Sequence, residues 1–396
     1  MTLKYFFKKI KDVHFSDILS FGKLFVALVF KPFVKKRYQH CWVVCETANE
    51  ARDNGYHFFK HVRECHKDIM CFYAIDKKSP DIKKVKKLGN IVQYGSIKHW
   101  VLYLCADYNI SSQKGGKPNT AVCAFLELLN LIDSKLVFLQ HGVTINDAAW
   151  AHADTTQLEY FITSTLPETQ YIKKTFGFEE NKIILTGMPR FDNLHNNKVD
   201  PHYILIMPTW RSRFSLVSEC QDVDNDFVSS VYKKSWEGLL NSTEFADLIE
   251  KNNLKVVFFP HRHMQQFLGQ FEVNNDSITI ADWRYYDIQD EMKKAALMIT
   301  DYSSVFFDMV YMKKPVIFYQ FDYDEFRKYD YKEGYFDYKN TQFGKWCDAS
   351  EKVIDELLRI ITSNMKVSDD YLEEHSRIFP YWDNKNSERL VTILRK

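Results

Sequence analysis

Five short segments carry side chains that could handle phosphate or a proton, and each follows an apolar run. Leu136 to Gln140 runs into His141-Gly142, and Ile183 to Thr186 runs into Gly187-Met188-Pro189-Arg190-Phe191-Asp192. Tyr203 to Met207 runs into Pro208-Thr209-Trp210-Arg211, and Val256 to Phe259 into Pro260-His261-Arg262-His263. Ala295 to Ile299 runs into Thr300-Asp301-Tyr302-Ser303-Ser304, followed by a helical pattern from Val305 to Met312. Ser303 and Ser304 thus sit at a strand-to-helix turn. Free backbone N–H groups, the positive end of a helix dipole and two hydroxyls would suit a phosphate there. An ordinary serine N-cap fits the same residues. Asp308, one turn on, could accept hydrogen bonds from a sugar or polyol. His141 titrates near neutrality and could take a proton from an attacking hydroxyl, or it could cap a loop. On an extended segment His261 and His263 would share a face. With Arg262 they supply up to three phosphate donors, and no nearby carboxylate completes a metal-ligand pattern. Arg211 could grip a phosphate bidentately or form a salt bridge at a domain edge.

The elements that must position these groups alternate. Strand patterns at Trp42 to Glu46, Ile69 to Ile75, Ile91 to Tyr94, Asp107 to Ser111, Leu136 to Gln140, Tyr160 to Thr163 and Lys182 to Thr186 form one series. Tyr203 to Met207, Lys255 to Phe259, Ser277 to Ala281, Leu297 to Thr300 and Pro315 to Tyr319 form a second. Helical patterns such as Ala51 to Glu64 and Thr120 to Leu131 separate most of them. Short apolar strands alternating with helices predict parallel sheets covered on both faces. Two series predict two doubly wound domains, with the polar stretch His195 to Pro201 between them. Ligands of such sheets bind beyond the carboxyl ends of the strands. Five polar strand ends across two domains therefore point to a ligand cleft between them.

The whole-chain properties agree with a globular protein. The chain has 396 residues, 45% apolar and 27% charged, with a net charge of +1, so no strong field attracts nucleic acid. Aromatic content reaches 16%, which suits aromatic cores, sugar contacts or a membrane surface. The eight cysteines, Cys41, Cys45, Cys65, Cys71, Cys105, Cys123, Cys220 and Cys347, form no CxxC pair, so no zinc site is expected. They read as small buried hydrophobes in a reducing compartment. No secretory signal is evident, and the apolar run Leu24 to Phe30 is too short to span a bilayer. In residues 1–40, Lys4, Lys8, Lys9, Lys11, Lys23, Lys31, Lys35, Lys36 and Arg37 interleave with Phe6, Phe7, Phe15, Phe21, Phe25 and other large apolar residues. Such a segment suits an anionic membrane surface. A helix packed on the body with solvated lysines suits it equally.

Taken together, these motifs resemble one family, the bacterial CDP-glycerol glycerophosphotransferases that build teichoic acids and related capsules. The resemblance covers nearly everything after about residue 40. It begins with Glu46-Thr47 and Asp53-Asn54-Gly55-Tyr56, continues through the five strand ends above, and is strongest at Thr300 to Asp308 with Lys313-Lys314-Pro315-Val316-Ile317-Phe318-Tyr319. Gly334-Tyr335-Phe336-Asp337-Tyr338 and Asp383 to Arg389 complete it.

The resemblance implies a GT-B architecture of two Rossmann-like domains facing a central cleft. Residues 1–40 would form a basic amphipathic membrane-associating segment, 41–196 the acceptor domain and 197–380 the CDP-polyol donor domain. Residues 381–396 would be a helix crossing back to the first domain. It implies a CDP-glycerol or CDP-ribitol donor, a lipid-linked or polymeric glycan acceptor, and a peripheral place on the cytoplasmic face of the membrane. It implies no firm cofactor; a divalent ion could assist. The family's two important histidines map onto His141 and His263. Its donor contacts map onto Gly142, Val143, Thr209, Arg211, His261, Arg262, Ser303, Ser304 and Asp308. The expected reaction is in-line displacement at phosphorus with release of CMP. The chain departs from the family in lacking a Thr-Pro and a lysine after His141-Gly142, where it reads Val143-Thr144-Ile145-Asn146-Asp147. Gln342-Phe343-Gly344 replaces the usual Pro-Gly-Pro. Two other classes stay open: a GT-B glycosyltransferase using a nucleotide sugar, and a non-catalytic member of a wall or capsule assembly complex.

Overall fold

The computed structural model describes residues 15–195, 197–214 and 223–396. The basic residues Lys4 to Lys11 and Cys220 lie outside them. The chain divides into two compact units. The first holds residues through Val143, Ala148–Asn193 and Tyr381–Lys396. The second holds Thr144–Asp147 and Leu194–Pro380.

Seven parallel strands build the first unit: β1 (Trp42–Val44), β2 (Cys71–Ile75), β3 (Ile91–Gln93), β4 (Tyr108–Ser111), β5 (Lys135–Phe138), β6 (Leu158–Thr163) and β7 (Ile183–Leu185). Their order is β3-β2-β1-β4-β5-β6-β7. The order therefore reverses between β1 and β4, which leaves a crevice at their carboxyl ends. β1 and β2 are buried along their whole length, as a sheet covered on both faces requires. On one face Phe58, Phe59 and Val62 of the helix Asn54–Cys65 share a core with Leu390, Val391 and Leu394 of the last helix, Asn386–Leu394. Burying each such side chain is worth roughly 1.5–3 kcal/mol.

The Gly187-to-Asp192 motif fastens that last helix. Gly187 has φ +81°, and a Cβ there would lie 2.0 Å from Asn386 Oδ1, so both backbone and space demand glycine. Asp192 accepts the N–H groups of Asn386 and Ser387 at 2.8 and 2.9 Å, capping the helix start.

The helix Phe15–Tyr38 has two faces. Leu24 and Ala27 pack with Trp100, Val101 and Leu104 of the helix Ile97–Cys105. Lys31 and Lys35 reach Asp133 at 2.9 and 3.2 Å, and Lys23 reaches the Gly95 carbonyl at 2.9 Å. The outer face exposes Leu19, Phe25 and Phe33, the last at 82%. No helix among the described residues is long and apolar enough to cross a membrane.

The second unit has six parallel strands: β8 (Tyr203–Met207), β9 (Lys255–Phe258), β10 (Ile278–Ile280), β11 (Leu297–Thr300), β12 (Val316–Tyr319) and β13 (Gly344–Cys347). Their order, β10-β9-β8-β11-β12-β13, reverses between β8 and β11. Much of the chain's aromatic content fills this core, where Phe227 stacks on Phe267 at 4.2 Å and Trp236 meets Tyr319 edge-on. Within the unit, Arg327 Nη1 donates to Asn146 Oδ1 at 2.6 Å, and Gly334 lies so close to the Ile145 carbonyl that a Cβ would clash at 2.1 Å. Of the described cysteines, Cys65 is exposed and the others are buried without disulfides. Burial pushes the Cys41 thiol up to about 12.

Candidate functional site

In the first unit the site grows from the end of β1. The Glu46 carboxylate is buried and accepts the N–H groups of Arg52, Asp53 and Tyr56 at 3.0, 3.1 and 2.7 Å. Gly55 leaves room for it, since a Cβ there would touch Glu46 at 3.0 Å. These bonds fix Asp53 as N-cap of the helix Asn54–Cys65, with its side chain accepting the Asn54 N–H at 2.8 Å. Asp53 Oδ2 then lies 2.8 Å from His141 Nδ1, beyond the end of β5. Asp53 Oδ1 accepts from Arg190 Nη1 at 2.8 Å.

The His141 backbone is clamped as well. Gln140 adopts a left-handed φ of 63°. Its amide donates to the Ile162 carbonyl and Glu168 Oε1 at 2.6 and 2.8 Å, and Asn54 Nδ2 donates to its carbonyl at 2.8 Å. Arg190 Nη1 also donates to the His141 carbonyl at 2.7 Å. Loop and ring are thus held from β1, β5 and the segment after β7.

The ring's electrostatics follow. Asp53 is a carboxylate that can only accept, so His141 Nδ1 carries the proton and Nε2 keeps its lone pair. Gln113 Nε2 lies 2.7 Å from the same Nδ1 and donates to Asp53 Oδ2 at 3.3 Å. Crowding by protein atoms lowers the His141 pKa, but the hydrogen bond and charge of Asp53 outweigh it, and the net shift is upward. Burial raises the Asp53 pKa, but bonding to His141 and the charges of His141 and Arg190 carry it below the ordinary carboxylate value. The His141 side chain remains 64% exposed. This is a buttressed imidazole with an open face, an arrangement able to accept a proton.

The second unit uses similar residues differently. Arg211 is 2% exposed. Its Nε and Nη2 lie 2.9 and 3.0 Å from Asp322, its Nη2 lies 2.9 Å from Asp301, and its Nη1 donates to the Thr209 carbonyl at 3.2 Å. The rings of Tyr232, Tyr302 and Phe326 surround the guanidinium at 5.0 Å each. The expected Arg211–phosphate contact is therefore corrected: two buried carboxylates occupy the guanidinium, which ties the ends of β8, β11 and β12 together. Asp308 is also corrected, because its side chain is wholly buried rather than turned to a ligand. Val143 and Thr209 are buried too, and the Thr209 N–H is taken by Asp301 Oδ1 at 2.7 Å.

The serine turn differs from expectation in its backbone. The helix spans only Phe306–Tyr311. The amides of Phe306, Phe307 and Asp308 donate to the carbonyls of Ser303, Ser304 and Val305, and the Val305 amide donates to Ser303 Oγ at 3.4 Å. Those N–H groups are spent inside the turn, and Ser303 and Ser304 themselves are partly exposed.

After β9 the chain turns into a 3-10 helix, Arg262–Gln270, instead of staying extended. The His261 and His263 rings nevertheless stack, with centroids 5.4 Å apart and 23° between planes. Trp210 lies 6.3 Å from His261 and 5.2 Å from His263, so the three rings form one aromatic cluster. Arg262 is exposed and rests over Trp283 at 3.5 Å. Gly142 is partly exposed. Asp53, Gln113 and Arg190 are the residues that sequence reasoning did not single out. Asp53 and Arg190 lay inside the motifs carrying the resemblance, but nothing in their spacing joined them to His141.

The chain is similar to known proteins in sequence and in fold. The sequence profile of the CDP-Glycerol:Poly(glycerophosphate) glycerophosphotransferase family matches residues 26–396. The minor teichoic acid biosynthesis protein GgaB of Bacillus subtilis (strain 168) is 30% identical over 360 residues, covering 89% of this chain and 39% of that protein. The teichoic acid ribitol-phosphate polymerase TarL of Staphylococcus aureus (strain NCTC 8325 / PS 47) is 25% identical over 239 residues, 58% of this chain and 40% of that one. The chain thus spans about two fifths of these relatives. Among solved structures, the wall teichoic acid polymerase TagF superposes with a TM-score of 0.64 at 16% identity, covering 100% of this chain and 98% of that one. A UDP-N-acetylglucosamine 2-epimerase of Listeria monocytogenes, described as putative, gives a TM-score of 0.53 at 12% identity over 89% of this chain and 94% of that one. At these identities both establish only the fold, two parallel-sheet α/β units of GT-B type. On the profile match and the GgaB relationship, the chain belongs to the CDP-glycerol:poly(glycerophosphate) glycerophosphotransferase family.

Proposed function

We propose that this chain transfers a polyol phosphate from a CDP-activated polyol to a hydroxyl of a teichoic-acid-like or capsular acceptor, releasing CMP. The observation that carries this reading is the His141–Asp53 pair at 2.8 Å, with the imidazole open to solvent and Arg190 behind it. Nε2 of His141 takes the proton of the attacking acceptor hydroxyl. The oxygen attacks the polyol-side phosphorus, the phosphoanhydride bond breaks, and its electron pair leaves with CMP. Asp53 holds the tautomer and offsets the charge the ring gains. His263 and His261, with Arg262, stabilise negative phosphate oxygens, and the hydroxyls of Ser303 and Ser304 donate to the same group. Backbone groups at Gly142 and Val143 shape the surroundings of His141, while Thr209, whose N–H and carbonyl engage Asp301 and Arg211, belongs with Arg211 to a brace.

Relatives support the donor class. Poly(glycerol phosphate) and ribitol-phosphate polymerases both occur among them, and a His-to-Asn variant of TagF has been solved after soaking with CDPG. Both CDP-glycerol and CDP-ribitol therefore belong in the test. CMP release would be followed with each donor, with UDP-sugars as controls, over a panel of lipid-linked and polymeric acceptors. Turnover of a CDP-polyol and none of UDP-sugars is expected; the reverse pattern would make the chain a glycosyltransferase.

The outer face of the helix Phe15–Tyr38 supports a peripheral place on an anionic membrane, facing the cytoplasm. Leu19, Phe25 and Phe33 would enter the lipid boundary beside Lys36 and Arg37. Replacing Phe25 and Phe33 by Ser should sharply reduce cosedimentation with phosphatidylglycerol vesicles. Unchanged cosedimentation would remove this part of the reading.

A further inference from the structure

On the first unit, at the far end of the helix that begins beside Asp53, three metal-ligating side chains converge. His61 lies just before the last turn of Asn54–Cys65, and His66 is its C-cap. Glu388 projects from the first turn of the last helix, Asn386–Leu394. Glu388 Oε2 lies 2.9 Å from His61 Nε2 and 2.7 Å from His66 Nε2. All three atoms lie within 4.8 Å of one another, and the two imidazole rings are 5.4 Å apart.

We infer that His61, His66 and Glu388 form a binding site for a transition-metal dication of the zinc class, joining the last helix to the helix Asn54–Cys65. Two imidazoles and one carboxylate make a donor set that zinc accepts, with a fourth position for water. Tetrahedral coordination at about 2.0–2.1 Å separates ligand atoms by roughly 3.3 Å, so the two separations between Glu388 and the histidines must each lengthen by about half an ångström. The partial exposure of all three side chains allows that movement and gives an ion its entry path. Metal binding at Nε2 puts the His66 proton on Nδ1, so Arg395 Nη2, 3.4 Å away and only a donor, must give up Nδ1 and keep its bond to Asp68. That guanidinium is itself held and neutralised by Asp68 at 2.6 Å. The sequence could not show the set, because Glu388 lies 322 residues beyond His66. The site is remote from the proposed transfer chemistry and does not depend on it. Its effect would be to clasp the two helices, one of which carries Asp53 at its opposite end.

The test uses the 396-residue chain, stripped with a chelator and titrated with ZnCl2 by calorimetry and thermal melting. One Zn²⁺ per chain and a raised melting temperature are expected. The His61→Ala/His66→Ala double variant and Glu388→Gln should each weaken binding by at least about tenfold and abolish the rise in melting temperature. Glu388→Gln keeps a hydrogen-bond acceptor and should melt like the parent without metal. Cys65→Ser, next to His66 and exposed, should bind as the parent does, and the Co²⁺-loaded protein should lack a thiolate charge-transfer band. Failure of the parent chain to bind zinc, parent-like binding by the His variant, or loss of binding with Cys65→Ser would each overturn the assignment.

Discussion

Each unit sets an arginine against aspartate beyond the end of a strand, Arg190 after the edge strand β7 and Arg211 after the inner strand β8, and the outcomes differ. In the first, Arg190 braces Asp53, and Asp53 braces a ring that faces solvent. In the second, Arg211 is enclosed by Asp301, Asp322 and three aromatic rings, with nothing of it offered outward. One network holds an exposed imidazole at its edge; the other holds strand ends together. Residue type and strand-end position alone do not separate these roles. Exposure of the terminal group does.

The contrast can be broken or sharpened by substitution. The largest effect belongs to His141→Ala, which should lower transfer by about 10²–10⁴-fold while the fold survives. Because the folded-state pKa is raised, the ring's contribution to stability is present below about 6.5 and is lost as pH rises through the higher folded value. Melting compared at pH 8.5 should therefore differ little between His141→Ala and the parent. Arg211→Ala should do the opposite, costing about 3–5 kcal/mol of stability in a denaturant titration because it strands two buried carboxylates. A stable Arg211→Ala protein with normal melting and lost turnover would return Arg211 to the substrate. Next in size, Ser303→Ala and Ser304→Ala should each weaken donor binding by about 1.5–3 kcal/mol if their hydroxyls meet a charged phosphate, read as a raised KM. Unchanged KM values would reduce them to turn formers. The smallest effect is a displacement: Asp53→Asn removes the charge that raises the His141 pKa, so the rising limb of the pH–rate profile should move to lower pH.

Much of the fold was legible in the sequence because buried parallel strands are short, apolar and sharply bounded. Tyr203–Met207 and Leu297–Thr300 stand in the structure with the bounds their pattern predicts. β13 was not legible: Gly344-Lys345-Trp346-Cys347 is an edge strand with a polar outer side, and its glycine lets it close on β12. The helix after Ser304 reads longer in sequence than it is, since the apolar run through Met312 continues past the point where the chain turns. For the site, the sequence points to His141, His261 and His263 as polar ends of apolar strands. It could not pair His141 with Asp53, 88 residues away, or Asp53 with Arg190, 137 residues away. Nor could it distinguish Arg211 and Asp308, buried, from residues open to a ligand, because burial is a property of the whole packed unit.

The central claim is that the Asp53-buttressed imidazole of His141 accepts the proton of the attacking hydroxyl. It is tested most directly by the pH dependence of CMP release, measured for the parent chain and His141→Ala with the same CDP-polyol and acceptor. The parent rate should rise with pH through a midpoint above the ordinary histidine value near 6.5, and the variant should be slow and lack that limb. A variant that keeps both the limb and most of the rate would contradict the account.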